Sequence, residues 1–247
     1  MKALLIFVLT FFVSFFSYSQ EQKSLECIDR TFSVVVHIAK DTFGTTNFDL
    51  TKLTSSMEYL NASFAPICVN FEICDIRYIN NFNFDDWDIT KNGYESICLF
   101  SEPKHINIFF VQKTTTPEGN GYASQEGISS SSGNIVVLNK NFLVSNLLHY
   151  IGHYFGLLDT FEAGENVDGS NCISAGDKIC DTPADVQFGF SGTNCEYNLS
   201  YKDANNQYYK PLVENFMSNY GACRKSFTQQ QYELMINKIK SNPTTHF

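Results

Sequence analysis

The sequence predicts an α/β (α+β) fold, because strands and helices alternate in its first half and an irregular, cysteine-containing half follows. Three apolar segments, Phe32 to Ile38, Ile106 to Val111 and Gly133 to Leu138, have the composition of buried strands. The stretch from Thr51 to Phe64 has apolar residues at helical spacing and predicts an amphipathic helix. We therefore expect a mixed sheet packed against helices.

The remaining segments complete this pattern. Val69 to Ile79 predicts a second strand region, Asn139 to Leu158 contains a helix, and Phe227 to Ile239 closes the chain as a helix. The Gly/Ser/Thr-rich segment from Thr114 to Gly133 is expected to be a long loop. We expect an upper α/β subdomain up to about residue 158, a lower subdomain after it, and a cleft between the two.

The N-terminus predicts a secretory signal peptide at residues 1–19. Lys2 precedes an apolar run from Leu4 to Phe16, and two small residues, Ser17 and Ser19, follow it. The run is too short to favour a membrane span. We expect one mature domain, residues 20–247, that is secreted or periplasmic, monomeric and free of the membrane after cleavage.

The charge of the mature part limits the classes of partner. Removing the signal peptide leaves 16 basic and 26 acidic residues, a net charge of about −10. Such a surface repels phosphate backbones, so nucleic acid is not expected as a partner. Acidic clusters on loops would instead suit calcium.

All eight cysteines lie in the mature part: Cys27, Cys68, Cys74, Cys98, Cys172, Cys180, Cys195 and Cys223. An even count after a signal peptide favours disulfides. A zinc ribbon is the alternative, but the chain has no Cys-x-x-Cys pair to support it. Cys68 and Cys74 flank the start of a predicted strand and could pair locally.

One short stretch has the spacing of a metal site. His149 and His153 are four residues apart, so on a helix both imidazoles project from one face and could bind one metal ion. Gly156 can adopt a left-handed conformation and end that helix. The chain could then turn back and offer Asp159 as a third ligand.

This stretch resembles the zinc motif of the metzincin peptidases, and among them the pappalysins most closely. The pappalysin pattern is His-Glu-x-Gly-His-x-x-Gly-Leu-x-His-Thr-Phe, and this chain keeps His149, Gly152, His153, Gly156, Leu157, Thr160 and Phe161.

The segment from Asn215 to Ser218 resembles the Met-turn, in which Met217 would lie beneath the metal. The segments Gly176 to Pro183 and Cys223 to Thr228 are similar to the family's loops after the zinc motif and after the Met-turn. The resemblance implies a metzincin (zincin) catalytic domain, with the active-site helix in the upper subdomain and the Met-turn in a disulfide-tied lower one.

The chain departs from the family pattern at the site itself. Tyr150 stands where pappalysins have the general-base glutamate, and Asp159 where they usually have the third histidine. Many relatives carry a tyrosine at the position of Asn219, which Tyr220 could replace if the turn is shifted by one residue. The resemblance still implies a zinc ion held by His149, His153 and Asp159.

The functional expectation is a secreted zinc metallopeptidase-type domain that hydrolyses peptide bonds with zinc-activated water. Because a phenol is a poor base at neutral pH, Tyr150 is expected to impair catalysis. The first alternative is a non-catalytic pseudopeptidase that binds a peptide or protein partner. A second alternative is a structural or adhesive secreted domain without a metal.

The lower subdomain contains three candidate calcium ligands, Asp168, Asp177 and Asp181. Related secreted peptidases use calcium to stiffen this region, which is the reason for the assignment. The alternative is that each of these aspartates caps a turn.

We also expect two disulfides in the lower subdomain, Cys172–Cys180 and Cys195–Cys223. An irregular region around the Met-turn needs covalent links to hold its shape. Spacing alone does not determine the connectivity.

Overall fold

The computed structural model describes residues 24–91, 93–116, 121–123, 134–186 and 195–242. The signal peptide predicted for residues 1–19 lies outside them. No helix in this described part is both long enough and apolar enough to cross a membrane.

The described residues form an α/β fold of short strands and helices. The strands are β1 (Arg30–Ala39), β2 (Val69–Ile79), β3 (Asp86–Asp88), β4 (Ile106–Val111), β5 (Lys113–Thr115), β6 (Gly121–Ala123) and β7 (Ile135–Asn139). The helices are α1 (Leu50–Phe64), α2 (Gly93–Cys98), α3 (Val144–Tyr154) and α4 (Gln229–Ser241). Short 3-10 turns occur at Ala65–Ile67, Phe82–Phe84 and Gly221–Cys223. The predicted fold class is thus confirmed.

Five strands form one sheet in the order β2-β1-β4-β7-β6. The first four run parallel to one another, and β6 is antiparallel to β7 at the edge. All six residues of β4 are buried, which fits its apolar sequence and its central place. Strands β3 and β5 pair separately as a parallel two-stranded ribbon.

Apolar clusters cover both faces of the five-stranded sheet. Because side chains alternate along a strand, Ile108 packs on one face with residues of α1, α3 and α4, whereas Phe109 packs on the other with Trp87. Helix α3 contacts β6, β7 and α1, so it lies beneath the antiparallel edge of the sheet.

Strand β5 lies at the start of the segment predicted to be a loop, Thr114 to Gly133, and strand β6 lies inside that segment. Each has only three residues, Lys-Thr-Thr and Gly-Tyr-Ala, and neither shows an apolar alternation that could reveal it. Their strand conformation comes from pairing with β3 and β7, which local sequence does not encode.

Three disulfides connect described cysteines: Cys27–Cys68, Cys172–Cys180 and Cys195–Cys223. The two pairs expected for the lower subdomain are therefore present, but the local pair of Cys68 with Cys74 was wrong. A strand rises about 3.3 Å per residue, so β2 carries Cys74 too far from Cys68 for a disulfide. Cys74 and Cys98 lie outside these three pairs, so the even number of cysteines does not mean that all of them form disulfides.

A buried ion pair joins the end of β7 to the segment before β3. The ammonium nitrogen of Lys140 lies 2.6 Å from Oδ1 of Asp85, and the Lys140 side chain is only 1% exposed. The same carboxylate oxygen accepts a hydrogen bond from the backbone N–H of Gln112. This carboxylate therefore connects three separate segments.

We expect Lys140→Met to lower the free energy of unfolding by about 3–5 kcal/mol, because it leaves the Asp85 carboxylate buried without its countercharge. Denaturant unfolding measures this loss. The control is Lys113→Met, since Lys113 pairs with Asp86 at 3.7 Å in an exposed position. That variant should lose no more than about 1 kcal/mol. Equal losses in the two variants would contradict the importance of the buried pair.

Candidate metal centre

Helix α3 carries the two candidate histidine ligands one turn apart. His149 is 5% exposed and His153 1% exposed, so both imidazoles are buried. Leu147 and Ile151, on the opposite side of the helix, are fully buried as well. The site therefore lies within the protein rather than on an open helix face.

The end of α3 brings the third candidate ligand back to the histidines. Gly156 has φ of +89°, a conformation that favours glycine. Its N–H donates to the carbonyl oxygen of His153 (2.8 Å), and the N–H of Leu157 donates to that of Gly152 (3.0 Å). These two bonds are the Schellman pattern that ends a helix. The chain turns at this point and Asp159 approaches both imidazoles.

Backbone carbonyls fix the tautomer of both histidines. Nδ1 of His149 lies 2.9 Å from the carbonyl oxygen of Phe216, and Nδ1 of His153 lies 2.9 Å from that of Leu157. A carbonyl oxygen can only accept, so each Nδ1 carries the proton. Burial, followed by the nearby positive charge of Arg224, holds the pKa of His149 well below its usual value. The Nε2 atom of neutral His149 therefore presents a lone pair.

Three electron-pair donors converge on one point. The two Nε2 atoms are 3.1 Å apart, and each lies 3.4 Å from Oδ1 of Asp159. That oxygen is buried and has no hydrogen-bond partner among the described residues. Lone pairs facing one another in a buried site repel, and a cation between them removes the repulsion.

The spacing of these three atoms fits a metal ion. Ligands bonded at about 2.0–2.1 Å in tetrahedral geometry stand about 3.3 Å apart, close to the separations found here. In the described part of the chain, His149, His153 and Asp159 form the one cluster of three or more metal-binding groups.

The turn from Asn215 to Ser218 supports this cluster from below. Met217 is fully buried, and a β-carbon at position 152 would come within 2.5 Å of its sulfur, which explains the glycine there. The carbonyl oxygen of Met217 accepts a hydrogen bond from the N–H of Thr160 (3.1 Å), the residue after Asp159. The turn therefore positions the chain on both sides of the site.

Comparison with known proteins identifies the family. Residues 83–240 match the model of the peptidase family described as pregnancy-associated plasma protein-A. The chain belongs to the pappalysin family of metallopeptidases. An extracellular metalloprotease of Podospora anserina is 28% identical over 152 residues, which are 54% of this chain and 48% of that relative. This pappalysin chain thus spans about half the length of that relative.

Solved structures show the same fold. Mirolysin in complex with compound 9 superposes with a TM-score of 0.61 at 17% identity, covering 86% of this chain and 91% of that one. Mature mirolysin of Tannerella forsythia, in complex with a cleaved peptide, superposes with a TM-score of 0.58 at 18% identity, with the same coverage of both chains. The predicted metzincin fold is therefore confirmed. Membership of a metallopeptidase family implies a metal, and the three donors of this pappalysin fit one.

Tyr150 fills the space between α3 and the sheet edge. It is 4% exposed and belongs to the main apolar cluster. Its ring lies edge-on to His149, with centroids 5.0 Å apart, and contacts β6 so closely that a β-carbon on Gly121 would overlap it. The glycine of β6 and the tyrosine of α3 therefore fit each other.

Asp185, which the sequence analysis did not single out, binds two groups beside the site. Its Oδ1 accepts a hydrogen bond from the hydroxyl of Tyr220 (2.9 Å), and its Oδ2 accepts one from that of Thr160 (3.1 Å). Burial raises the pKa of Tyr220, and the charge of Asp185 raises it further. The Tyr220 hydroxyl is thus engaged with Asp185.

The candidate calcium ligands do not converge. Asp168 accepts a hydrogen bond from the backbone of Ser170, and Asp181 accepts bonds at the start of α4. Asp177 accepts hydrogen bonds from the Thr182 hydroxyl and from the N–H of Ile179. Each aspartate therefore caps a local turn or a helix start, and the three do not meet in one cluster.

Loss of a residue that only supports a metal ligand typically weakens metal binding by about 10- to 100-fold. Asp159→Asn should weaken divalent-metal binding by more than this, because Asp159 is itself a candidate ligand. The reason is the loss of the negatively charged oxygen that lies 3.4 Å from both imidazoles. Metal content and competition with a chelator measure the change. Asp185→Asn is the matched control, because that carboxylate is also buried but lies outside the cluster. Unchanged metal affinity in Asp159→Asn would refute the assignment.

Proposed function

We propose that this chain is a zinc metallopeptidase-type domain that accepts a peptide or protein and hydrolyses it weakly or not at all. The observation that carries the proposal is the convergence of His149, His153 and Asp159, with an Asp159 oxygen that lacks a hydrogen-bond partner among the described residues. Two nitrogens and one carboxylate oxygen at these separations suit zinc. Zinc held there supplies a Lewis acid that polarises a peptide carbonyl and acidifies water.

The residues around the ligands determine how well such chemistry proceeds. Asp159 brings a negative charge where the family usually has a neutral histidine, and this charge makes the metal a weaker Lewis acid. Tyr150 occupies the position that follows the first histidine, where pappalysins have the glutamate that accepts a proton. A phenol ordinarily titrates near pH 10, so it accepts few protons at neutral pH.

A specific observation favours the second candidate, a pseudopeptidase that binds a peptide without cutting it. The Tyr150 ring is packed into the apolar core against Gly121. The Tyr150 ring contributes packing here, whereas pappalysins have the proton-accepting glutamate at this position. The two candidates share the metal and the ligand class, and they differ in whether the bound peptide is hydrolysed.

The relatives support the wider setting of the proposal. The Podospora anserina protein is an extracellular metalloprotease, and mirolysin has been solved with a cleaved peptide. We extend to this chain a peptide or protein ligand and export by the signal peptide predicted at residues 1–19. A monomeric mature domain remains part of the proposal. Calcium is not part of it, because Asp168, Asp177 and Asp181 each cap a local turn or a helix start.

Tyr150→Glu should raise peptide hydrolysis at neutral pH by about 10²–10⁴-fold, because it restores a group that can accept and donate a proton beside the metal. A broad peptide-cleavage assay with and without chelator measures the gain, which the chelator should abolish. Tyr150→Gln is the control, since it has nearly the size of glutamate but cannot take a proton. Equal activity of the Glu and Gln variants would show that position 150 is not the defect. Strong chelator-sensitive cleavage by the unmodified chain would show that another group already acts as the base.

The exported protein should begin near Gln20, because small residues end at Ser19 and a polar segment follows. N-terminal sequencing of the protein recovered outside the cell measures this. A secreted chain that still begins at Met1, or within the apolar run, would refute the predicted cleavage.

A further inference from the structure

Arg224 is held rigidly in the short segment after the Met-turn. Its Nε donates a hydrogen bond to the carbonyl oxygen of Ser218 (2.7 Å), and the preceding residue, Cys223, is fixed by its disulfide to Cys195. Neither terminal nitrogen of the guanidinium has a hydrogen-bond partner among the described residues. One side of the guanidinium fork is thus anchored, and its other donors are available.

The same turn places Arg224 beside the candidate metal ligands. Three consecutive carbonyl oxygens accept hydrogen bonds from three different groups. The oxygen of Phe216 accepts from Nδ1 of His149, that of Met217 from the N–H of Thr160, and that of Ser218 from Nε of Arg224. Burial lowers the pKa of Arg224, and the nearby charge of Asp159 partly opposes this shift. The guanidinium and the candidate ligands are therefore held by the same short turn.

The charge of Arg224 is not neutralised by a contacting carboxylate. Burial lowers its pKa to about 10, so the group stays protonated at neutral pH. No ion pair to Arg224 occurs within the part of the chain that the structure describes; the Asp159 oxygen contacts the two histidines instead. The terminal nitrogens of this half-buried cation are therefore able to donate to a bound anion.

We propose that Arg224 binds a carboxylate group of a peptide held beside His149, His153 and Asp159. A guanidinium fork matches the two oxygens of a carboxylate, and such charge-assisted pairs are strong and directional. The chain's net charge of −9 disfavours polyphosphate ligands, which leaves the carboxylates of peptides as the fitting anions. This inference rests on the proposed function, because it names the chemistry that the peptide must carry.

Two pairs of labelled peptides test the proposal by binding alone. The first pair differs only in a free or amidated C-terminus, and the second pair, amidated in both members, differs only in one internal Glu or Gln. Fluorescence anisotropy with the zinc-loaded full chain should show roughly ten- to hundredfold tighter binding of the carboxylate member in at least one pair. A preference within the first pair would show that the bound group is the terminal carboxylate. A preference within the second pair would show that it is an acidic side chain.

Arg224→Gln should abolish the preference while the neutral peptides bind as before, and Arg224→Lys should keep only part of it because the fork is lost. Lys225→Gln is the control: Lys225 is adjacent, exposed and paired with Glu214, and its loss should leave the preference unchanged. Near-UV circular dichroism establishes that each variant is folded. If Arg224→Gln does not fold, the affinities of the peptide pairs for the unmodified chain and for Arg224→Lys still test whether Arg224 binds a carboxylate.

Equal affinities within both peptide pairs, or a preference that survives Arg224→Gln, would overturn the role of Arg224. Zinc content measured on the same samples separates this failure from that of the proposed function. Bound zinc without a carboxylate preference overturns the role of Arg224 alone. A chain that binds neither zinc nor any of the four peptides overturns the proposed function, and the role of Arg224 with it.

Discussion

The structure around the candidate site depends on the turn from Phe216 to Ser218, whose three successive carbonyl oxygens accept hydrogen bonds from three separate parts of the chain. The turn is itself held from the other side. The amide groups of Asn215 and Gln231 exchange two hydrogen bonds, which tie the turn to the start of α4. The N–H of Phe216 donates to the carbonyl oxygen of Ser226. The orientation of the His149 imidazole is therefore set by this turn as well as by its own helix.

The convergence of the three candidate metal ligands could be predicted from sequence because its signal is local. Two histidines at i and i+4, a glycine that can end the helix, and a carboxylate just beyond it define the arrangement without any knowledge of the rest of the chain. The central strand β4 was equally predictable, because five of its six residues are apolar, as expected for a strand buried on both faces. In both cases one segment contains the whole pattern.

The other features of the site were not predictable because their meaning comes from partners far along the chain. Asp185 is an ordinary loop aspartate until folding places it against Tyr220 and Thr160. Strand β6 has too few residues to show a period, and its existence depends on β7. Tyr150 was recognisable as a departure from a family pattern, but its packing against Gly121 is a property of the folded chain. The sizes of the residues at 121 and 150 consequently limit each other, so a larger residue in β6 requires a smaller one in α3.

The separation along the chain between the candidate metal ligands and the group that orients one of them has a consequence for the folding of the nascent chain. All the ligands precede residue 160, whereas the carbonyl oxygen that fixes the ring of His149 belongs to Phe216, 67 residues later. A nascent chain that ends before the turn already contains a complete set of ligands but lacks the support that sets their directions. The direction of the His149 ring is therefore fixed only when the turn has formed, so the candidate ligands reach their final geometry only after this late segment is in place.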